Sequence, residues 1–137
     1  SFNWFGWDRF NEIHVHSPLG DIIDPTDYRN TFSVALGAEW KQDDRWTWRG
    51  GLQFDETPTV DGHRDTRVPD SNRYWISLGG TYNVTPTFAL DGAISHLFMP
   101  DASVNYTNQV APGPAIQTVA TSSNSVDIIS LQGVVKF

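Results

Sequence analysis

The sequence predicts an all-β chain: an antiparallel transmembrane β-barrel, of which these 137 residues supply about six strands. Three observations carry that prediction. Apolar and polar residues alternate one by one through several segments, and successive side chains of a strand point to opposite faces. On the apolar parity the aromatics sit at the ends of the runs, where Tyr and Trp favour the two headgroup levels of a bilayer. Short connections alternate with long ones, as periplasmic turns alternate with extracellular loops.

The strands are expected at about 2–15, 28–40, 45–55, 73–84, 87–98 and 125–137. The first fits least well, because Trp4 and Phe10 share one parity while Ile13 and Val15 share the other. A bulge near Asn11 would bring all four to one face. The second sets Tyr28, Phe32, Val34, Leu36, Ala38 and Trp40 against Arg29, Thr31, Ser33, Ala35, Gly37 and Glu39. In the third, Trp46, Trp48, Leu52 and Phe54 oppose Arg45, Thr47, Arg49, Gln53 and Asp55. The fourth alternates Tyr74, Ile76, Leu78 and Tyr82 with Arg73, Trp75, Ser77 and Thr81. The fifth sets Phe88, Leu90, Ile94 and Phe98 against Thr87, Ala89, Asp91, Ala93 and Ser95. In the sixth, Ile129, Leu131, Val135 and Phe137 share a face. From Trp46 to Phe54 a tilted strand rises roughly 20–25 Å, close to the height of the lipid-facing band of a membrane barrel.

The connections 41–44 and 83–86 are short. The segments 16–27, 56–72 and 99–124 are long and rich in Pro, Gly, Asp and Ser, and the tract from Val110 to Ser125 reads as a mobile loop with no chemical signature. Closed membrane barrels begin at about eight strands, since an open edge in lipid leaves backbone groups without partners. Six strands and an opening SFNWFGW that reads as the inside of a strand therefore give the expectation of a piece of a longer barrel chain, favoured over the assembly of several copies, with any signal peptide absent.

Composition narrows the partners. Hydrophobic residues make up only 39% and the mean hydropathy is negative, which ordinarily argues for a soluble protein, yet both are compatible with a barrel whose strands each show half their residues to a polar lumen. A net charge of −7 makes nucleic acid an unsuitable partner, and zero cysteines exclude a disulfide framework and thiolate metal sites.

The chemistry lies in charges of inward parity and in the loop above them. Arg49, Asp55 and Arg73, with Glu56, Arg67 and Asp70 from the loop, form the candidate site, either as a structural lumen network or as a grip for a carboxylate. The near balance of acids and bases in and around this set, which also includes Arg29, Glu39 and Arg64, favours mutual pairing. Asp55 and Arg73 should face each other at the hairpin base, and residues 55–73 should form an ordered cap. No catalytic residues, cofactor or metal are expected. Ser95 and His96 are adjacent on a strand and so point apart, while His14 and His16 with Glu12 are a weak metal set better read as loop-base polarity. His96 has outward parity near the upper rim, and Trp75 points inward.

Several stretches resemble the C-terminal region of the FadL/TodX outer-membrane transporters: Phe54-Asp55-Glu56-Thr57-Pro58, Arg67-Val68-Pro69-Asp70-Ser71-Asn72-Arg73-Tyr74-Trp75 and Gly79-Gly80-Thr81-Tyr82, supported by Thr31 to Gly37, Trp46 to Gly51, and Trp7-Asp8-Arg9-Phe10. The resemblance implies a 14-stranded barrel plugged by an N-terminal hatch, passing long-chain fatty acids or other hydrophobic compounds inward. By that resemblance this chain would supply the last six strands, the C-terminal part of a single barrel domain, with the hatch and earlier strands absent. It also implies a bacterial outer-membrane location, lipid as surroundings, and a monomeric barrel at full length. Two alternatives stay open: a barrel enzyme acting on lipids, which needs Ser, His and an acid on one accessible face, and a soluble β-sandwich, which predicts loops of mixed length.

Overall fold

The computed structural model describes residues 1–10, 12–16, 20–25, 27–60, 64, 70–109 and 114–136. Its elements are β1 (Phe2–Phe5), a 3₁₀ turn (Trp7–Arg9), β2 (Glu12–Val15), β3 (Ile22–Pro25), β4 (Thr31–Lys41), β5 (Trp46–Asp55), β6 (Arg73–Thr85), β7 (Phe88–Gln109) and β8 (Ala115–Val135). Six of the strands form one antiparallel sheet in the order β1-β4-β5-β6-β7-β8, and β2 pairs with β3 alone. Every sheet neighbour except β1-β4 is also a chain neighbour, as expected of a meander. Among the described residues no helix is long and apolar enough to cross a membrane.

The register turns the sequence alternation into two continuous faces. Leu36, Leu52 and Ile76 stand side by side on β4, β5 and β6, and the next row joins Gly50, Leu78, Ile94 and Ile129. These large aliphatics are solvent-exposed, Leu78 at 62% and Leu131 at 82%. The buried apolar residues are small or few: Ala89, Leu97, Ala102 and Val104. A water-soluble sandwich buries such a face under a second sheet. Here no described element covers it, so the sandwich reading falls.

Aromatic rings close the apolar face at both ends. At the end carrying the short turns, Trp46 stacks on Trp48 with centroids 5.2 Å apart and leans on Tyr82 at 4.5 Å. Gly80 makes room for this stack, because a Cβ there would stand 3.1 Å from the Trp48 ring. At the end carrying the long connections, Phe2, Phe32, Phe54 and Tyr74 form a band across four strands with centroid spacings of 6.2, 5.6 and 5.1 Å. Side-chain hydrogen bonds tie the first turn. Asp43 Oδ1 accepts from the N–H groups of Arg45 and Trp46, both at 2.7 Å, and Asn83 Nδ2 donates to the Asp44 carbonyl at 2.9 Å.

Three expectations need correction. The segment 2–15 is not one bulged strand. After β1 the chain turns at Trp7–Arg9, and the Trp7 and Phe10 rings pack on Tyr28 at 6.3 and 5.8 Å, so both Phe10 and Tyr28 sit outside the main sheet. Arg29 likewise precedes β4 and turns to the cap.

The largest correction concerns β7 and β8, which continue well past 98 and begin well before 125. The tract read as a loop is mostly a paired ribbon, with Ala102 opposite Ser122 and Gln109 opposite Ala115. The ladder slips between Met99 and Ala102, where Pro100 and Asp101 sit. Proline has no N–H to give a ladder, and an extra residue reverses the parity of everything beyond it. That slip hid the strand from a reading based on strict alternation. Phe137, read as a terminal outward aromatic, lies outside the described residues.

Candidate functional site

Opposite the apolar face, the polar face of the sheet carries two charged layers with a smooth band between them. The layer near the short turns is built on Arg49. Its Nε donates to Glu39 Oε2 at 2.6 Å and its Nη1 to Thr81 Oγ1 at 2.6 Å, while the Thr81 hydroxyl donates in turn to Asp91. The ladder dictates this meeting, since Glu39 lies opposite Arg49 and Thr81 opposite Asp91. One guanidinium faces two carboxylates, so the layer is net acidic.

The band above has almost no side chains. Gly37, Gly51, Ser77 and Ser95 are consecutive partners across β4 to β7, and Ser95 Oγ donates to Ser77 Oγ at 2.8 Å. Two hollows of about 380 and 370 Å³ lie along this row and share Gly51 and Ser77 in their walls. They make one trough, bounded by Arg49, Asp91 and Gln132 on one side and by Gln53 and Trp75 on the other. The Trp75 indole N–H is buried with no hydrogen-bond partner among the described residues.

The second charged layer is the rim. Arg73 Nη1 reaches Asp55 Oδ2 at 3.0 Å and Nη2 reaches Asp70 Oδ1 at 2.7 Å. The other Asp70 oxygen accepts from the Thr57 hydroxyl at 2.6 Å, and Asn72 Oδ1 accepts from the Thr57 N–H at 3.0 Å. Arg29 pairs with Glu56 at 3.2 Å and donates to the Thr57 carbonyl at 3.3 Å. Arg64, almost wholly buried, donates from Nε to the Asp70 carbonyl at 2.8 Å and from Nη1 to the Ser103 carbonyl at 2.9 Å. Thr57, Thr59 and Ser71 are buried with it. The described part of the cap is thus joined to the lead-in to β4, the β6 base and the extension of β7.

The structure therefore brings Asp55, Glu56, Asp70 and Arg73 together at the rim and places Arg49 apart in the lower layer. Arg67 lies outside the described residues, as do Asp61, His63, Asp65 and Pro69. Sequence reading passed over Thr57, a small hydroxyl that earns its place only through the fold. His14 pairs with Glu12 at 2.7 Å and His16 with Asp21 at 3.1 Å on the separate hairpin, and no three potential ligands converge on a metal site among the described residues. One pair was missed altogether. His96 and Asp127 meet on the apolar face, Nδ1 to Oδ1 at 2.5 Å, while Ser95 lies on the other face. An acid and a histidine do share that face, but no serine is bonded to the imidazole among the described residues.

An apolar belt between aromatic bands, facing away from a charged trough, is the cross-section of a barrel wall. The family model for "Outer membrane protein transport protein (OMPP1/FadL/TodX)" matches residues 1–137. The chain belongs to that family. It is 29% identical to the long-chain fatty acid transport protein of Salmonella typhi over 107 residues, which are 77% of this chain and 25% of the relative. It is 32% identical to the putative outer membrane protein NMB0088 of Neisseria meningitidis serogroup B over 115 residues, 80% of this chain and 24% of that one. The crystal structure of a Pseudomonas aeruginosa FadL homologue superposes with a TM-score of 0.85 at 31% identity, covering 98% of this chain and 31% of the other. The chain spans about a quarter of the length of the curated relatives it matches. The FadL/TodX chain is thus part of an outer-membrane protein, its sheet a section of a barrel wall with the apolar face to lipid and the trough to the lumen. Relatives named for transport point away from catalysis.

Proposed function

We propose that the full-length protein containing this chain admits hydrophobic compounds passively across the outer membrane, with amphiphiles such as long-chain fatty acids as the substrate class, and that residues 1–137 form the C-terminal part of its one barrel domain. The observation that carries the reading is the trough. An acyl chain needs a wall free of charge and of protruding side chains, and the row Gly37, Gly51, Ser77 and Ser95 is such a wall. The charged layers flank it and do not cross it. The names of the relatives supply the substrate class.

At the rim, Arg73 and Arg29 are the groups able to attract an amphiphile's carboxylate, with Asp55, Glu56 and Asp70 holding them in place. Arg67 belongs to the same proposed set by sequence. Arg49 is already neutralised by Glu39 and stands next to Asp91 beyond the Thr81 hydroxyl, so the lower layer offers an arriving anion little and favours its passage onward. The long connections face the exterior and the short turns the periplasm.

Filling the trough tests this directly. At Gly51 a Cβ would meet only the Leu36 carbonyl at 3.6 Å, an ordinary contact, so Gly51→Leu adds bulk to the hollow without straining the strand. Uptake of a labelled long-chain fatty acid by cells carrying the full-length variant should fall at least severalfold while Gly51→Ala retains most of it. Undiminished uptake in Gly51→Leu, with normal amounts of protein in the membrane, would remove the trough from the path.

A further inference from the structure

Up to the slip at Pro100 and Asp101, outward rows of the described sheet carry aliphatic and aromatic residues, glycine, alanine and, near the margins, isolated hydroxyls. His96 and Asp127 are the exception. They stand opposite each other on β7 and β8, joined to Leu36, Leu52 and Ile76 in the same row. Ionisable groups toward lipid are costly at mid-bilayer and nearly free at its margins, so such a pair marks a margin and a purpose. The margin is visible. The His96 ring packs against Phe98 at 4.1 Å, and Phe98 lies opposite Tyr74, which belongs to the aromatic band at the loop end. Opposite Phe98 on its other side is Ser125. The hydroxyl-bearing side chains of Tyr74 and Ser125 thus occupy the row next to the imidazole.

We propose that His96, held by Asp127, binds the phosphate of an anionic glycolipid in the outer leaflet. With Nδ1–H directed at Asp127, the ring has Nε2 left, and no described residue bonds it. In the imidazolium form Nε2 carries a proton and donates a charge-assisted hydrogen bond to a phosphate oxygen. Asp127 accepts from Nδ1 and fixes the ring plane. Because the pair is then net neutral, it does not repel the headgroup as a lone carboxylate would. Among the described residues, Tyr74, Ile76, Phe98, Ser125 and Ile129 surround it from β6, β7 and β8, and Asp127 is its one charged neighbour. The assignment rests on the loop end facing the exterior.

The experiment is native mass spectrometry of the full-length barrel from micelles doped with a diphosphorylated glycolipid, with its dephosphorylated form, or with inorganic phosphate alone. Retention should favour the phosphorylated lipid over the dephosphorylated one. It should weaken about tenfold in His96→Gln, the loss of one hydrogen bond to a charged group, less in Asp127→Asn, and recover in His96→Arg. Fatty-acid uptake should not change, since the pair lies outside the lumen. Equal retention of the two lipids, or variants without effect, would overturn the site. Displacement by inorganic phosphate at equal concentration would make it a small-anion site and refute the lipid. Should the variants fail to assemble, the wild-type comparison of the two lipids decides alone. A single cysteine at Val119, on the exposed side of the β8 extension, separates this outcome from a wrong orientation: it must react with an impermeant label on intact cells whatever the lipid result.

Discussion

The hairpins β5–β6 and β7–β8 are built from strands of similar alternation, yet they end differently. β5 stops at Asp55 and β6 begins at Arg73, where an ion pair joins them and the cap takes over. β7 and β8 carry on as paired strands to Gln109 and Ala115. Charge density makes the difference. From Asp55 to Arg73 charged residues recur every few positions, while between Asp101 and Asp127 there is none. Repeated charges and prolines send the chain into a cap of specific contacts. Uncharged Thr, Ser, Asn, Gln and Val leave hydrogen bonding to the backbone ladder. Of the extension's buried residues, Ala102 and Val104 lie on the cap side, where the displaced parity puts them.

If β5–β6 lies in lipid and the far half of β7–β8 does not, the same substitution should cost much more in the first than in the second. Leu78→Arg, in an exposed apolar row, should cost a full-length barrel roughly 2–4 kcal/mol by urea titration in lipid vesicles, against about 0.5 kcal/mol or less for Val119→Arg. Equal costs would break the comparison.

A smaller effect sharpens it. Asp55→Asn and Arg73→Gln, combined in a double-mutant cycle, should show coupling of about 1 kcal/mol, because the pair is only partly shielded and Asp70 shares the guanidinium. Strict additivity would detach the cap from the hairpin base.

The smallest effect lies at the opposite end. The Lys41 ammonium, chiefly by its hydrogen bond and then by its charge, holds the Asp44 carboxyl below the ordinary carboxylate range. A depressed folded value means that the contact contributes at neutral pH and is lost as pH falls through that lowered value. A carboxyl titration of Asp44 by NMR should show the depression vanish in Lys41→Gln, with no measurable change in barrel stability.

Legibility followed the same division. The strand cores at 46–55 and 73–84 and the Asp55–Arg73 pairing could be read because parity, aromatic ends and charge all agreed. The β7–β8 extension could not, since one slipped position at Pro100 and Asp101 reverses the pattern and the composition beyond resembles a loop. The rim was half legible. Its charges stood out, but the roles of Thr57 and Asn72 depend on loop geometry that no periodicity encodes. His96 could be placed outward by parity, whereas its partner Asp127 needed the register between two distant strands.

The central claim is that one pair of strands crosses the bilayer, slips by a residue and continues outside it. Single spin labels along β7 of the full-length protein, read for accessibility to oxygen and to a water-soluble relaxant, test that claim most directly. Leu90, Ile94 and Phe98 should be oxygen-accessible, with Asp91, Ala93 and Ser95 shielded from it, and beyond the slip Ser103 and Asn105 should answer to the aqueous relaxant. Oxygen accessibility persisting through Asn105, or the absence of alternation before Phe98, would contradict it.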